Sequence, residues 1–385
     1  PRPRVMLTRK LALFAVMFAA PAVADILDIF GSDKLTDGSR FAFAPSKVDN
    51  TIIAIDVQER QIAAVLELPR RADSVIATNE LSLLVATHPD NRSVTVINLY
   101  NREIVRELDI GMRPDAVLAN TYDRFVTFGS RDGSVSTWDL SNFEQVVRVD
   151  GLESATLMTF SFDGGHLFVV EPSAKRISVI DMAKREKVSE IDLGGNADVD
   201  AEVSALSRSA DGYTGYVAVT SEDRVAVLDL VKKEVTASIK VGDAPGRPFS
   251  TGDNRFVLIP NNGDGTLSVL SAWTRTVEAT IATGIEAREI NTGWLDTVAF
   301  IMPASGNEVG VVDLQEFEAA QPIKLPGPSD DGIVTSDSKT LVTSIIGTGQ
   351  VAFIDARTRR LQSLLDTDAT GLEGIEIAVS NNVCH

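Results

Sequence analysis

Short runs of alternating apolar and polar residues recur along most of this chain, and they recur with a beat. Each run ends in a branched aliphatic residue, or once Trp, followed by Asp, Asn or Ser. The instances are TIIAID ending at Asp56, VTVIN at Asn98, VSTWD at Asp139, ISVID at Asp181, VAVLD at Asp229, LSVLS at Ser271, VGVVD at Asp313 and VAFID at Asp355. The intervals between them are 42, 41, 42, 48, 42, 42 and 42 residues. Period-two alternation with β-branched residues predicts strands, and Gly/Asp pairs predict the turns between them. The fourth unit shows the full pattern: SATLMTFS, a turn at Asp163-Gly164, HLFVVEP, the loop SAKR, ISVID, then EKVSEIDL.

Four short strands per 40–45 residues is the pattern of a β-propeller blade. A solenoid is the competing architecture, but its coils are shorter and its ends need caps. The chain ends support a ring. The first unit lacks a leading strand and starts at DGSRFAFAP, whereas GIEIAVS near the C-terminus is a leading strand with no unit after it. Together, residues 375–380 and 38–69 are expected to form one shared blade, which leaves no open sheet edge. The expected fold is all-β: an eight-bladed propeller of four-stranded blades, with a seven-bladed ring plus one stray repeat as the alternative.

Composition adds location. Arg2, Arg4, Arg9 and Lys10 precede an apolar run from Leu11 to Ala20, then Pro21 and Ala22-Val23-Ala24. A basic region, a short apolar region and an A-x-A site predict a signal peptide cleaved after Ala24, hence a periplasmic protein. Met6 is a natural start, with residues 1–5 as upstream sequence. The run is too short to span a bilayer as a helix, and no membrane span is expected after cleavage. Residues 25–385 then form a single propeller domain. Net charge is −18 from 36 basic and 54 acidic residues, which disfavours nucleic acid as a partner. With 6% aromatic residues the core must rest on Val, Ile, Leu and Ala, and the one cysteine, Cys384, cannot form an internal disulfide.

The repeats resemble the YVTN family of propeller repeats. Ile177-Ser178-Val179-Ile180-Asp181 matches its V-S-V-I-D segment, and Val235-Thr236-Ala237-Ser238-Ile239-Lys240-Val241-Gly242 matches its closing T-I-x-V-G strand. Among propellers the chain is similar to the haem d1 domain of cytochrome cd1 nitrite reductase and to amine dehydrogenase heavy chains, the latter seven-bladed. Trp138-Asp139 is the single WD dipeptide. The d1 resemblance implies a histidine ligand near the channel. His88, His166 and His385 are the only histidines, and none falls in a leading strand.

In a propeller the loops leading into the innermost strands share one face with the loops joining second and third strands, and sites collect there. The first set carries Arg71, Asp73, Arg113, Asp115, Glu153, Glu202, Arg247, Arg288, Glu289, Asp330, Asp331 and Glu373; the second carries His88. Arginine clamps carboxylates bidentately, so these residues read either as an anion-binding funnel or as a salt-bridge ring between blades. His88 is a proton-transfer candidate by residue type. Asp198 and Asp200 alternate with Glu202 in the long interval, a weak calcium pattern. Cys384-His385 is a weak copper or zinc pattern. No nucleophile elbow, phosphate loop, paired-histidine metal motif or redox C-x-x-C is present, so no motif requires a cofactor.

The sequence thus favours a monomeric binding, assembly or interaction scaffold over an enzyme, within redox-enzyme or cofactor maturation by resemblance. A protein partner or small ligand would sit on the loop face. The alternatives are a subunit of a periplasmic oxidoreductase and a lactonase-like hydrolase.

Overall fold

The structure is a computed structural model that describes residues 34–120, 124–195 and 202–379. The expected leader (1–24), Asp198, Asp200, Cys384 and His385 lie outside those residues. From Leu35 the chain forms a compact all-β unit. Its strands fall into eight antiparallel sheets, one per repeat. No helix among the described residues is long and apolar enough to cross a membrane.

The ring closes as the chain ends predict. Glu376–Ile377 is the innermost strand of the first blade and pairs with Phe41–Pro45, Ala42 opposite Ile377 and Phe43 opposite Glu376. Thr51–Asp56 and Gln61–Glu67 complete that sheet. The count is therefore eight blades, not seven. The other inner strands differ in length, from Ser207–Arg208 in blade five and Phe249–Ser250 in blade six to Ala287–Gly293 in blade seven and Ser329–Val334 in blade eight. In blade seven the outer strand is broken into Glu318–Ala319 and Ile323–Lys324. Pro322 lies in the gap and has no N–H for the ladder.

The repeated Asp is a turn residue. In blade four Asp181 Oδ1 accepts the N–H groups of Ala183 and Lys184 at 3.0 and 2.9 Å, and Asp56, Asp229 and Asp313 do the same in their blades. Four positions on, every blade places a residue in the left-handed region: Arg60, Arg102, Phe143, Arg185, Lys233, Arg275, Phe317 and Arg359, with φ between 55° and 65°. Such a turn re-enters a right-twisted hairpin in register. The beat in the sequence is the beat of this turn.

The core is distributed as wedges between neighbouring blades, one apolar cluster for each of the eight seams. The closing seam packs Ile53 and Ile55 of blade one and Ile377 against Val342 and Phe353 of blade eight. Closure thus buries apolar surface, at roughly 25 cal/mol per Å², as well as pairing an edge. Antiparallel alternation sends the loops into the inner strands and the second-to-third-strand loops to one face. It sends the remaining turns to the other.

Candidate functional site

The channel mouth on the first face is most elaborate at the seam of blades seven and eight. Both inner strands carry a bulge there. Ala287 pairs with Pro303 and Glu289 with Met302, which leaves Arg288 extra. Ser329 pairs with Ile345 and Gly332 with Thr343, so Asp330 and Asp331 together face one residue. A bulge re-aims side chains and leaves the ladder locally unmade. Here it turns Arg288 toward its neighbour blade, where Nη1 donates to Asp330 Oδ1 at 2.6 Å. Asp330 Oδ2 accepts the N–H of Gly374 at 2.6 Å, tying the segment that closes the ring to the same carboxylate.

Beside this pair stand two further acids. Glu289 Oε2 accepts the N–H of Gly332 at 3.1 Å and Asn291 Nδ2 at 3.2 Å. A Cβ on Gly332 would stand 2.8 Å from Leu341 Cδ1, so a larger residue here would require that side chain to shift. Burial, reinforced by the charge of Asp331, pushes the Glu289 carboxyl up to about 7 against the pull of Gly332, Arg247 and Asn291. Burial and the charge of Asp330 likewise raise Asp331 above the ordinary carboxylate range, opposed by Arg288 and Arg247. Asp331 nevertheless keeps exposed surface.

Arg247, on the loop into blade six, is exposed and makes no hydrogen bond or ion pair among the described residues. Its charge acts on both Glu289 and Asp331. Among the expected arginines it differs from Arg288 and from Arg113, which bonds Asp90 and Asp115, each at 2.8 Å. Arg71 donates to the Lys47 carbonyl at 3.1 Å. Glu373 contributes only its backbone, its N–H donating to the Pro45 carbonyl. Glu202 is exposed, and its carbonyl accepts from Thr220.

Arg71, Asp73, His88 and Arg113 line one pocket of about 410 Å³ between blades one and three, with Asp90 on its rim. His88 ends the second strand of blade two and is 2% exposed. Its Nδ1 meets the Arg71 carbonyl and its Nε2 the Thr95 hydroxyl, both at 2.8 Å. Burial pushes the imidazole below its ordinary range. Glu171 and Asn261 occupy the same register in blades four and six. Glu171 accepts the Glu153 N–H and the Ser178 hydroxyl, and Asn261 accepts the Gly242 N–H and donates to Ser268. His88 is therefore one of a set of clamps that fix the loop into the inner strand, with both ring nitrogens engaged.

Sequence reasoning passed over Glu171. Burial opposes its ionisation, but Arg176, Ser178 and the Glu153 N–H outweigh burial and hold it at about 2. An acid ending the apolar run HLFVVE was the available signal. Among the described residues no three His, Cys, Asp or Glu side chains converge as metal ligands.

No protein-family model and no curated protein sequence matches the chain. Solved structures do. The dihydro-haem d1 dehydrogenase NirN, solved in complex with DHE, superposes with a TM-score of 0.75 over 90% of this chain and 77% of that one, at 16% identity. The Cps50 (Swd1) β-propeller domain of Myceliophteria thermophila gives 0.58 over 73% and 95%, at 12% identity. A functionally unknown protein from Desulfotomaculum acetoxidans DSM 771 gives 0.56 over 74% and 95%, at 14% identity. At these identities the likeness is one of fold: the chain is an eight-bladed propeller similar to the d1-haem propeller of NirN.

Proposed function

We propose that this is a periplasmic binding propeller whose channel mouth takes a carboxylate-bearing small ligand, in a binding or assembly role rather than a catalytic one. The observation that carries the reading is Arg247. A guanidinium without a partner, beside groups that are otherwise bonded, is a ready clamp for a carboxylate. Glu289, protonated below about pH 7, adds an O–H donor next to it.

The fold shared with NirN makes a dihydro-haem d1-type tetrapyrrole the first ligand class to test. A haem held by an axial histidine does not fit the described residues. Both nitrogens of His88 are bonded, and His166 meets Lys233 at the opposite end of its strand. The ligand would instead be gripped at its carboxylate rim, which suits handling within cofactor maturation.

The test is an absorbance titration of the purified protein with coproporphyrin III, a tetracarboxylate porphyrin. Saturable binding that weakens at least about tenfold in Arg247→Ala, with unchanged thermal stability, supports the reading. No spectral change, or binding indifferent to Arg247, defeats it. A coloured protein on native isolation would favour the oxidoreductase-subunit reading instead.

A further inference from the structure

The face opposite the channel mouth carries a groove of about 180 Å³ at the seam of blades five and six, lined by Asp211, Tyr216, Asn254, Trp273 and Arg275 among others. We propose that this groove is a binding site for a single pyranose ring, free or at the end of a glycan.

Three observations carry the assignment. Trp273 forms one wall and is 83% exposed, the most open large apolar side chain among the described residues. It sits in the turn between the third and fourth strands of blade six, at the edge of the groove. Tyr216 lies at the other extreme. Its residue is 1% exposed and its ring belongs to the apolar wedge between the two blades. Yet the phenol lines the groove and its hydroxyl has no hydrogen-bond partner among the described residues. A buried phenol normally finds a hydrogen-bond partner, and the groove is the side from which this hydroxyl can receive one. Between these walls stand complementary polar groups. Asn254 Nδ2 donates to Asp211 Oδ2 at 3.0 Å, which leaves the Asn254 carbonyl oxygen and a second Asp211 lone pair to accept. Arg275 spends one N–H on Thr236 Oγ1 at 3.3 Å and keeps others to donate.

An indole face, acceptors on one wall and donors on the other suit a flat ring with apolar C–H groups on its face and hydroxyls around its edge. A proline ring offers the face without the hydroxyls. The volume is below the ~300 Å³ at which pockets for drug-sized ligands begin, so one ring enters rather than a chain. The site is independent of Arg247 and stands or falls apart from the channel-mouth reading.

The experiment is a tryptophan-fluorescence titration of the full protein with methyl α-glucopyranoside, methyl α-galactopyranoside and N-acetylglucosamine, with glycerol and N-acetylprolinamide as controls. Trp138, Trp273 and Trp294 are the only tryptophans. At least one pyranoside is expected to give a saturable change that the controls do not. Trp273→Ala should abolish the change. Tyr216→Phe, which keeps the packed ring, should weaken binding several-fold. Equilibrium dialysis of Trp273→Ala with the binding sugar should show at least about a tenfold loss. Absence of saturation with all three sugars, equal response to N-acetylprolinamide or glycerol, or full binding by Trp273→Ala overturns the proposal.

Discussion

Arg288 and Asp330 meet across a blade seam at 2.6 Å, and each is brought there by an extra residue in its own inner strand. Asp330 is 7% exposed and also holds the Gly374 N–H, so one carboxylate fastens blades seven, eight and one. Removing Arg288 leaves that carboxylate with its charge uncompensated. Arg288→Ala is expected to cost about 1–3 kcal/mol, since the arginine is itself about a third exposed and part of the pair's energy is lost to solvent. Adding Asp330→Asn should cost less than the sum of the two single changes. Denaturant unfolding of the three variants measures this, and strict additivity would refute the coupling.

Glu289 gives the stability curve a slope. Its carboxyl sits at about 7 in the fold and at about 4.3 in an unfolded chain. Between those values the native state holds a proton that the unfolded state has released. Stability from this group is therefore greatest at the acid end and falls as pH rises toward 7. Glu289→Gln is expected to flatten the slope, by an amount on the order of 2 kcal/mol. Thermal unfolding at pH 5.5 and pH 8 for both proteins tests it. A slope equal in both would show that Glu289 is ordinary.

His88 acts in the opposite sense. Burial lowers its affinity for protons in the fold, so its contribution is complete above about pH 6.5 and is lost as pH falls below that. His88→Ala removes two hydrogen bonds at a buried position and should cost about 2 kcal/mol. Asn261 shows that an amide can serve as the clamp in this register. His88→Asn should therefore recover more than half of the loss and also remove the acid-side decline. If Asn is as damaging as Ala, the clamp is specific to imidazole.

The ring was legible because its turns are local properties repeated many times, and its closure because residues 38–69 and 375–380 are complementary parts of one blade. The Asp, Asn or Ser that caps each third-to-fourth-strand turn is a fixed distance from the left-handed residue that ends it, and that distance survives into the sequence. The face carrying Arg71, Arg113, Arg247 and Arg288 followed from strand alternation alone. What the residues do there did not. Whether Arg288 meets an acid depends on bulges, and a bulge exists only relative to the register of the partner strand. The clamp role of His88 needed the third strand to bring Thr95 alongside it. The open hydroxyl of Tyr216 was equally hidden, because Tyr216 reads as one more apolar position in a second strand.

Ile377 is 4% exposed and belongs to the wedge between blades eight and one, while its backbone completes the first blade through Ala42. Ile377→Asp would place a carboxyl without a partner in that wedge, which must either hold a proton there or release the strand. The expected cost is about 3 kcal/mol or more. Release would expose the Phe41–Pro45 edge, which offers unpaired backbone groups to other chains. The variant should therefore unfold earlier and self-associate at concentrations where the parent stays dispersed. Ile377→Val keeps the wedge filled and should cost about 1 kcal/mol with no association. Light scattering alongside thermal unfolding separates the two. A monodisperse Ile377→Asp protein of parental stability would mean that the two-residue strand does not hold the ring shut.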